Sequence, residues 1–460
     1  MKAIMPILDS SRKKPYYLQL YDYIKQAILN GDIKESEKLP SLRSLAKSTG
    51  LSITTVEQCY NQLLVEGYIY SKAQSGYYAN NVFNHSNKTV PIENDFFSPQ
   101  VSETEKSISS KAFSMYYDPA CFDFNKWKKC MNKVINEFPQ TLFFESDPQG
   151  EPGLRNEIAK YLYMSRGVTC SPEQIIIGAG TQQITNHLAT ILRKLPIEHV
   201  SLENPGYTPV RNIFRDRGFA ITSVDVAGDG LVIEKLPANI RTTVYTSPSN
   251  HVFTGSVMPI GRRYELINWA AENDSYIIED DYDSELRYFG KPIPALRSLN
   301  NNRVIYLGSF SSTLFAAVKI SYMVIPEDMA KTFSSIVKDY SQTCSKLEQL
   351  TLAMFMETGY YQTHIKKLRK LYAQKLTAAA DVFQNSAKNF INVKNTSSGI
   401  NIILKVKSDK QNLQLKKEAE ELGIPLVSLH EKGLVALYYN QLPLDKIQEV
   451  LKQLIIKWKS

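Results

Sequence analysis

The sequence predicts an α/β protein with a small, mainly helical N-terminal domain and a larger C-terminal domain around a parallel-rich central sheet. From about residue 111 onward, short apolar runs alternate with helical stretches, and these runs include QIIIGAG, TTVYTSP, SYIIEDD and RVIYLGS. Strands that are apolar on both faces and are separated by helices are typical of a parallel sheet covered by helices. The length of 460 residues suits two or three domains rather than one.

The composition argues against several classes of protein. A hydrophobic fraction of 43% with 22% charged residues is ordinary for a globular chain. No apolar run approaches the roughly 18 residues of a membrane span, and the first residues, MKAIMPILDSSRKK, do not resemble a signal peptide. Five scattered cysteines without a CxxC pair argue against disulfides and zinc. We therefore expect a cytoplasmic protein with no metal and no membrane partner, and its net charge of +8 permits polyanion binding.

Three regions of the chain differ in composition, and they set the expected domain boundaries. Residues 1–79 are dense in helical periodicity and form the first domain. Residues 80–111 are polar and rich in Ser and Asn, which is typical of a linker. Residues 112–460 form the second domain, with a large part at about 145–340 and a smaller α+β part at about 341–460.

The first domain shows three successive helical segments followed by a pair of short strands. The helices are predicted in YYLQLYDYIKQAILNG, LPSLRSLAKSTG and LSITTVEQCYNQLLVEG. Ser41 can cap the second helix, Gly50 makes a tight turn, and Ser52, Thr54 and Thr55 are candidate caps of the third. Two helices joined in this way form a helix-turn-helix, and YIYSKAQSGYYA supplies a β-wing. Periodicity alone also fits a helical bundle for protein contacts.

A more specific pattern runs through PYYLQL, ILNG, LPSLR, LLVEGYI and SG. Over about 65 residues it resembles the winged helix-turn-helix domain of GntR-type bacterial transcription regulators. The resemblance implies a double-stranded operator DNA partner, with the third helix in the major groove and the wing on the backbone or minor groove. It implies DNA contacts from Arg43, Ser52, Thr54, Thr55 and Gly76. Many relatives carry arginine where this chain has Ile53, which leaves base readout at that position open.

The second domain carries, in order, the residue types that a pyridoxal-phosphate site requires. GAGTQQ follows a strand and opens a helix, where backbone N–H groups can hold a phosphate. ENPGYTP supplies an aromatic ring to stack on the cofactor, EDDYDSELRY a carboxylate for the ring nitrogen, and GSFSSTLF hydroxyl groups. The candidate ligand residues are Gly180, Thr181, Gln182, Tyr207, Asp280, Tyr282, Ser309, Ser311 and Lys319.

Several longer segments add a second resemblance. DPQGEPGLRNEIAKYL, TSPSNHVFTGSVM, IIEDDYDSELRY and GSFSSTLF resemble the aminotransferase-like half of MocR-type regulators, which join a GntR domain to a fold type I aminotransferase-like domain. The resemblance runs from about residue 112 to the C-terminus. It implies a homodimer, typically head-to-tail, and a small-molecule effector.

The resemblance also exposes a missing residue. Aligning SFSKTL of the family with Ser309–Leu314 puts Ser312 where the lysine that forms the Schiff base belongs. A hydroxyl cannot form an imine, so we expect no catalytic residue and no covalently attached pyridoxal phosphate. Non-covalent binding of this or a related ligand is left open. Other departures are Lys319 for an arginine, Phe253 for a proline, Ala316–Ala317 for a proline-containing turn, and GLVALYYN without an arginine.

Three functions remain in view. The first is a DNA-binding transcription regulator whose degenerate aminotransferase-like domain senses an amine, amino acid or B6 compound and dimerises. The second is a pyridoxal-phosphate-dependent aminotransferase with an accessory DNA-binding domain, in which Lys319 would have to replace the missing amine. The third is a regulator whose large domain dimerises and binds no ligand. Two reactive-looking residues, His251 and Cys170, are not expected to take part in chemistry. No orienting partner for His251 is evident in the sequence, and Cys170 is expected to be structural or solvent-facing.

Overall fold

The structure is a computed structural model that describes residues 14–72, 75–80, 121–289, 293–394, 396, 398–429 and 431–460. The expected linker lies outside the described residues, apart from its first residue, Asn80. The described chain falls into two compact units, with residues up to 80 in the first and residues from 121 onward in the second. None of the helices in these ranges combines the length and the hydropathy that a membrane-spanning segment requires.

The first unit contains the predicted helices and wing. Its elements are α1 (Tyr16–Leu29), α2 (Leu42–Thr49), α3 (Ile53–Val65), β1 (Ile69–Lys72) and β2 (Gly76–Ala79). The two strands pair antiparallel. Leu20 and Ile24 lie one turn apart on α1 and are fully buried in a core with Leu45 and Leu63. Gly50 ends α2 in a left-handed conformation, with φ of 70°, and this produces the tight turn that the sequence predicted.

The second unit is built around an eight-stranded sheet. Its strands are β3 (Ile175–Ala179), β4 (His199–Asn204), β5 (Ala220–Ala227), β6 (Gly230–Leu231), β7 (Thr242–Thr246), β8 (Tyr276–Asp280), β9 (Val304–Ser309) and β10 (Ile320–Val324). The spatial order is β3-β10-β9-β8-β7-β4-β5-β6. Strands β5, β4, β7, β8 and β9 are parallel to one another, and the short β6 at the edge is antiparallel to β5. Strand β10 is antiparallel to both β3 and β9. The predicted parallel-rich α/β fold is confirmed.

Helices cover this sheet, and a smaller antiparallel sheet follows it. The helices of the second unit are α4 (Phe124–Glu137), α5 (Pro152–Arg166), α6 (Thr181–Lys194), α7 (Thr208–Asp216), α8 (Ile260–Glu272), α9 (Leu296–Leu299), α10 (Glu327–Ile336), α11 (Lys346–Glu357), α12 (Tyr360–Ala387), α13 (Asn412–Glu420) and α14 (Ile447–Lys459). The smaller sheet contains β11 (Ile391–Lys394), β12 (Asn401–Val406), β13 (Leu426–Ser428) and β14 (Leu434–Tyr438). Its order is β11-β12-β14-β13, and it packs through buried aliphatic side chains against α12, α13 and α14.

The sheet topology decides where polar side chains gather. Because β10 is antiparallel to both neighbours, β3 and β9 point the same way, and β9 is parallel to β8. The carboxyl ends of these strands therefore meet at one edge of the sheet, where ligands bind in open α/β sheets. The loops that leave this edge contain the motifs identified in the sequence.

Candidate functional site

A cavity of about 530 Å³ opens at the carboxyl edge of the large sheet. This volume is in the range of small-molecule sites. The cavity brings together every ligand residue that the sequence indicated, with Ser312 among them: Gly180, Thr181, Gln182, Tyr207, Asp280, Tyr282, Ser309, Ser311, Ser312 and Lys319. The GAGTQQ turn and the SFSSTL segment are far apart in the sequence, yet both line this cavity.

One part of the cavity is suited to an anion. Helix α6 begins there, and Gly180 precedes it with φ of 87°, a conformation that side chains other than glycine rarely adopt. The backbone N–H groups of Thr181 and Gln182 have no acceptor among the described residues. N–H groups at the start of a helix bind anions, and the helix dipole adds to the attraction.

Four side chains in or next to β9 and β10 extend this anion-binding part. Ile320 pairs with Ala179, so Lys319 lies next to the turn that opens α6. Within the described part of the chain the Lys319 ammonium forms no ion pair. Ser321 donates a hydrogen bond of 2.9 Å to the hydroxyl oxygen of Ser309, while the Ser311 hydroxyl donates to the carbonyl of Val318 at 2.6 Å. The result is a positively charged pocket lined by hydroxyl groups.

Asp280 ends β8 and places its carboxyl group in the cavity. Burial raises its pKa to about 6, and the charge of Asp281 adds to this, whereas the Tyr245 hydroxyl lowers it by donating a hydrogen bond to Oδ2. The ring of Tyr207 is 38% exposed and lies near enough to Asp280 for that charge to raise the pKa of the phenol, in addition to burial. Both side chains line the same cavity. The role of Tyr245 was not evident from the sequence.

Glu203 and His251 form a buried pair on the β4 side of the cavity. Burial raises the pKa of Glu203 to about 8 although its carboxylate accepts hydrogen bonds from the Thr246 hydroxyl at 2.6 Å and the Ser247 N–H at 3.0 Å. Burial lowers the pKa of His251 to about 4. The imidazole is therefore neutral, and both of its nitrogens are in use: Nε2 donates to the Pro205 carbonyl at 3.0 Å, and Nδ1 accepts from the Thr254 N–H at 3.2 Å.

These hydrogen bonds orient the His251 ring through partners that were not evident in the sequence. They hold the imidazole in place, so its role is structural. Cys170 is also in a structural position, since it is half-buried against the core beside α5, and burial raises the pKa of its thiol. Neither side chain has the geometry of a poised acid, base or nucleophile.

The raised pKa of Glu203 leads to a prediction about stability. The folded unit keeps a proton on this carboxyl up to about pH 8, whereas an unfolded glutamate releases it near about pH 4.3. The folded state therefore binds more protons between these values, and the free energy of unfolding falls as pH rises from about 5 to 8. We expect Glu203→Gln to flatten this slope by about one proton, as measured by urea unfolding across that pH range.

The control for this experiment is Glu198→Gln. Glu198 lies five residues before Glu203, and its exposed carboxylate forms an ion pair with Arg193. It should leave the slope unchanged. Equal slopes for the wild type and Glu203→Gln would show that Glu203 is ionised in the folded unit.

In the first unit, three of the predicted DNA-contacting residues, Ser52, Thr54 and Thr55, lie at the start of α3, while Arg43 lies on α2 and Gly76 on the wing. The Ser52 hydroxyl caps the helix by accepting a hydrogen bond from the Thr55 N–H at 3.1 Å, and it lies 2.8 Å from the Thr55 hydroxyl. Thr54 is exposed in the first turn, and Ile53 beside it is 48% exposed. Arg43 is exposed on α2 and forms no ion pair with any described residue.

The two strands of the predicted wing pair antiparallel. Gly76 begins β2 with φ of 107°, and the ring of Tyr78 on β2 stacks on that of Tyr70 on β1 with 5.7 Å between ring centroids. The Lys72 ammonium lies 4.8 Å from the centroid of the Tyr78 ring. An exposed basic residue on a short two-stranded ribbon is suited to a phosphate backbone.

Comparison with known proteins identifies both units. Residues 16–78 match the family "Bacterial regulatory proteins, gntR family", and residues 116–437 match "Aminotransferase class I and II". An uncharacterized HTH-type transcriptional regulator of Bacillus subtilis, YdeL, is 36% identical over 469 residues, which is 99% of each chain. The HTH-type pyridoxine biosynthesis transcriptional regulator PdxR of Corynebacterium glutamicum is 32% identical over 386 residues, 83% of this chain and 82% of the relative.

Solved structures agree on the fold of the second unit. A crystal structure of the kynurenine aminotransferase of Pyrococcus horikoshii superposes with a TM-score of 0.65 and 22% identity, covering 75% of this chain and 89% of the enzyme. At this identity the similarity establishes the aminotransferase fold and no activity. The chain therefore belongs to the family of HTH-type transcriptional regulators that join a GntR DNA-binding domain to an aminotransferase class I and II domain, as its resemblance to MocR-type regulators predicted.

Proposed function

We propose that this transcription regulator responds to a vitamin B6 phosphate, such as pyridoxal phosphate, which its second unit binds without a covalent bond and without transaminase activity. The observation that carries the proposal is the cavity at the carboxyl edge of the large sheet. It combines an anion-binding helix start with a buried carboxylate and an aromatic ring, and Ser312 lines it at the position of the family's lysine.

The residues present fit pyridoxal phosphate. The free N–H groups of Thr181 and Gln182 and the ammonium of Lys319 would hold the phosphate. Asp280 would face the pyridine nitrogen through Oδ1, because Oδ2 already accepts from Tyr245, and Tyr207 would contact the face of the ring. Attached to a lysine amine, this cofactor supplies an electron sink for reactions of amino acids.

Ser312 accounts for the predicted loss of activity. A serine provides neither the amine for attachment nor a basic group that could move a proton at the substrate carbon. Lys319 is a poor substitute, because the pairing of Ile320 with Ala179 holds it beside the phosphate-binding turn. We therefore favour a binding domain over an aminotransferase with an accessory DNA-binding domain.

The proposal includes a DNA partner for the first unit and a homodimer. GntR domains bind DNA, and the exposure of Arg43, Thr54 and Lys72 supports their proposed role in DNA contacts. A head-to-tail dimer is supported by the resemblance to MocR-type regulators. We further propose that residues 80–111 link the first domain, residues 1–79, to the ligand-binding domain, residues 112–460.

The experiment is a binding titration of the full chain with pyridoxal phosphate, followed by borohydride reduction and peptide mapping. We expect one saturable ligand per chain that pyridoxine phosphate displaces. Because surface lysines also react with the aldehyde, the diagnostic signal is a lysine that pyridoxine phosphate protects, and we expect none. A protected adduct at Lys319 would contradict the proposal, and so would the absence of saturable binding.

A further inference from the structure

Asp283 is a buried carboxylate in the cavity wall. It precedes a short 3-10 turn, Ser284–Leu286, and has φ of 54°, an uncommon conformation for a residue other than glycine. The residue is 2% exposed. Neither carboxylate oxygen receives a hydrogen bond of acceptable geometry from the described chain. Such a group costs stability unless something binds it.

Neighbouring negative charges make an ionised carboxylate at Asp283 still more unfavourable. Burial raises the pKa of Asp283 to about 7, and the charges of Glu285 and Asp280 act in the same direction. The neighbouring hydroxyls of Tyr282 and Ser312 act in the opposite direction. No lysine or arginine of the described ranges forms an ion pair with this carboxylate. A cation is therefore the partner that the position lacks.

The cavity has opposite polarity on its two sides. Lys319 and the start of α6 lie at β10 and β3, whereas Asp283 follows β8, on the other side of β9. Ser312 follows β9 and lines the same space as Asp283. A molecule that spans the cavity would thus meet positive groups at one end and a carboxylate beside a hydroxyl at the other.

We propose that Asp283 and Ser312 form a subsite for the ammonium group of the ligand, so that the cavity selects pyridoxamine phosphate over the carbonyl and alcohol forms of the same compound. This inference rests on the proposed function and names the preferred ligand class of the same site. The phosphate end binds the N–H groups at the start of α6 and the Lys319 ammonium, while the aminomethyl group donates hydrogen bonds to the Asp283 carboxylate. No covalent bond forms.

The test compares three ligands by calorimetric titration of the full chain. Pyridoxamine phosphate and pyridoxine phosphate differ only in an ammonium against a hydroxyl, so their comparison isolates the subsite. We expect pyridoxamine phosphate to bind about tenfold or more tightly than pyridoxine phosphate or pyridoxal phosphate, the scale of a hydrogen bond to a charged group. Asp283→Asn should abolish that preference and leave pyridoxine phosphate binding within about threefold, since the substitution keeps the shape and removes the charge.

The matched control is Glu285→Gln. Asp283 also lines a second cavity of about 290 Å³, where Glu285 is a wall residue, and Glu285 does not line the first cavity. The control should retain the preference. Equal affinities for the amine and the alcohol in the wild type would overturn the inference whether or not Asp283→Asn folds, and so would a preference that Asp283→Asn keeps or that Glu285→Gln removes. If none of the three ligands binds, the proposed function itself fails.

Discussion

Replacing Ser312 with lysine is expected to turn a releasable ligand into a covalently attached one. In the variant, the lysine amine condenses with the aldehyde of pyridoxal phosphate and releases water, and borohydride then delivers hydride to the carbon–nitrogen double bond. Peptide mapping should show adduct at position 312 approaching one per chain. The reason is geometric: residue 312 already lines the cavity with the phosphate-binding groups, so the amine arrives oriented.

The control for this variant is Ser335→Lys, which adds an amine on the exposed surface of α10. That lysine should react only as other surface lysines do, and pyridoxine phosphate should not protect it. A folded Ser312→Lys variant that binds pyridoxine phosphate and yet forms no adduct at 312 would show that residue 312 does not face the ligand.

Replacing Arg166 with methionine is expected to destabilise the second unit by about 3–5 kcal/mol, the cost of leaving a buried charge without its partner. The guanidinium binds Asp281 through two hydrogen bonds of 2.8 Å. It also donates to the Ile293 carbonyl at 2.6 Å and to the Ser249 hydroxyl at 2.7 Å. The two side chains are only 6% and 1% exposed. Methionine fills similar space but leaves the Asp281 carboxylate unpaired.

Urea unfolding measures this effect, and Arg215→Met provides the comparison. Arg215 pairs with its neighbour Asp216 at 3.2 Å on the surface, so its loss should cost less than about 1 kcal/mol. If Arg166→Met cost no more than Arg215→Met, the buried pair would not anchor the loop after β8, which carries both Asp281 and Asp283.

The strands of the large sheet differ in how well the sequence predicts them. β3, β7, β8 and β9 are largely continuous apolar runs, and all four were predicted as strands. Neither β5, whose exposed and buried residues alternate irregularly, nor β10, which carries Ser321, was predicted as a strand. The position of β10 between β3 and β9 depends on long-range pairing, which local composition does not reveal.

The residues of the cavity also differ in how well the sequence predicts them. Asp280 and Tyr282 were predicted because they stand in a motif whose order along the chain matches a known family. Asp283, one residue further, was not, because its meaning comes from burial and from its distance to Ser312, which is far away in the sequence. Glu203 was missed for a similar reason, since its hydrogen bond to Thr246 joins two parallel strands.

Ligand occupancy must alter DNA binding if the second unit is a sensor. A ligand can do so only through different affinities for two arrangements of the protein, and the effect is reciprocal. The scaffold alternative, in which the large domain binds no ligand, predicts no such linkage.

The most direct measurement is a fluorescence anisotropy titration of the full chain onto DNA from upstream of its own gene, with and without saturating pyridoxamine phosphate. We predict a change in Kd of about 5- to 150-fold, the usual range of allosteric coupling. A DNA affinity that stays the same while calorimetry shows the cavity to be filled would contradict the account.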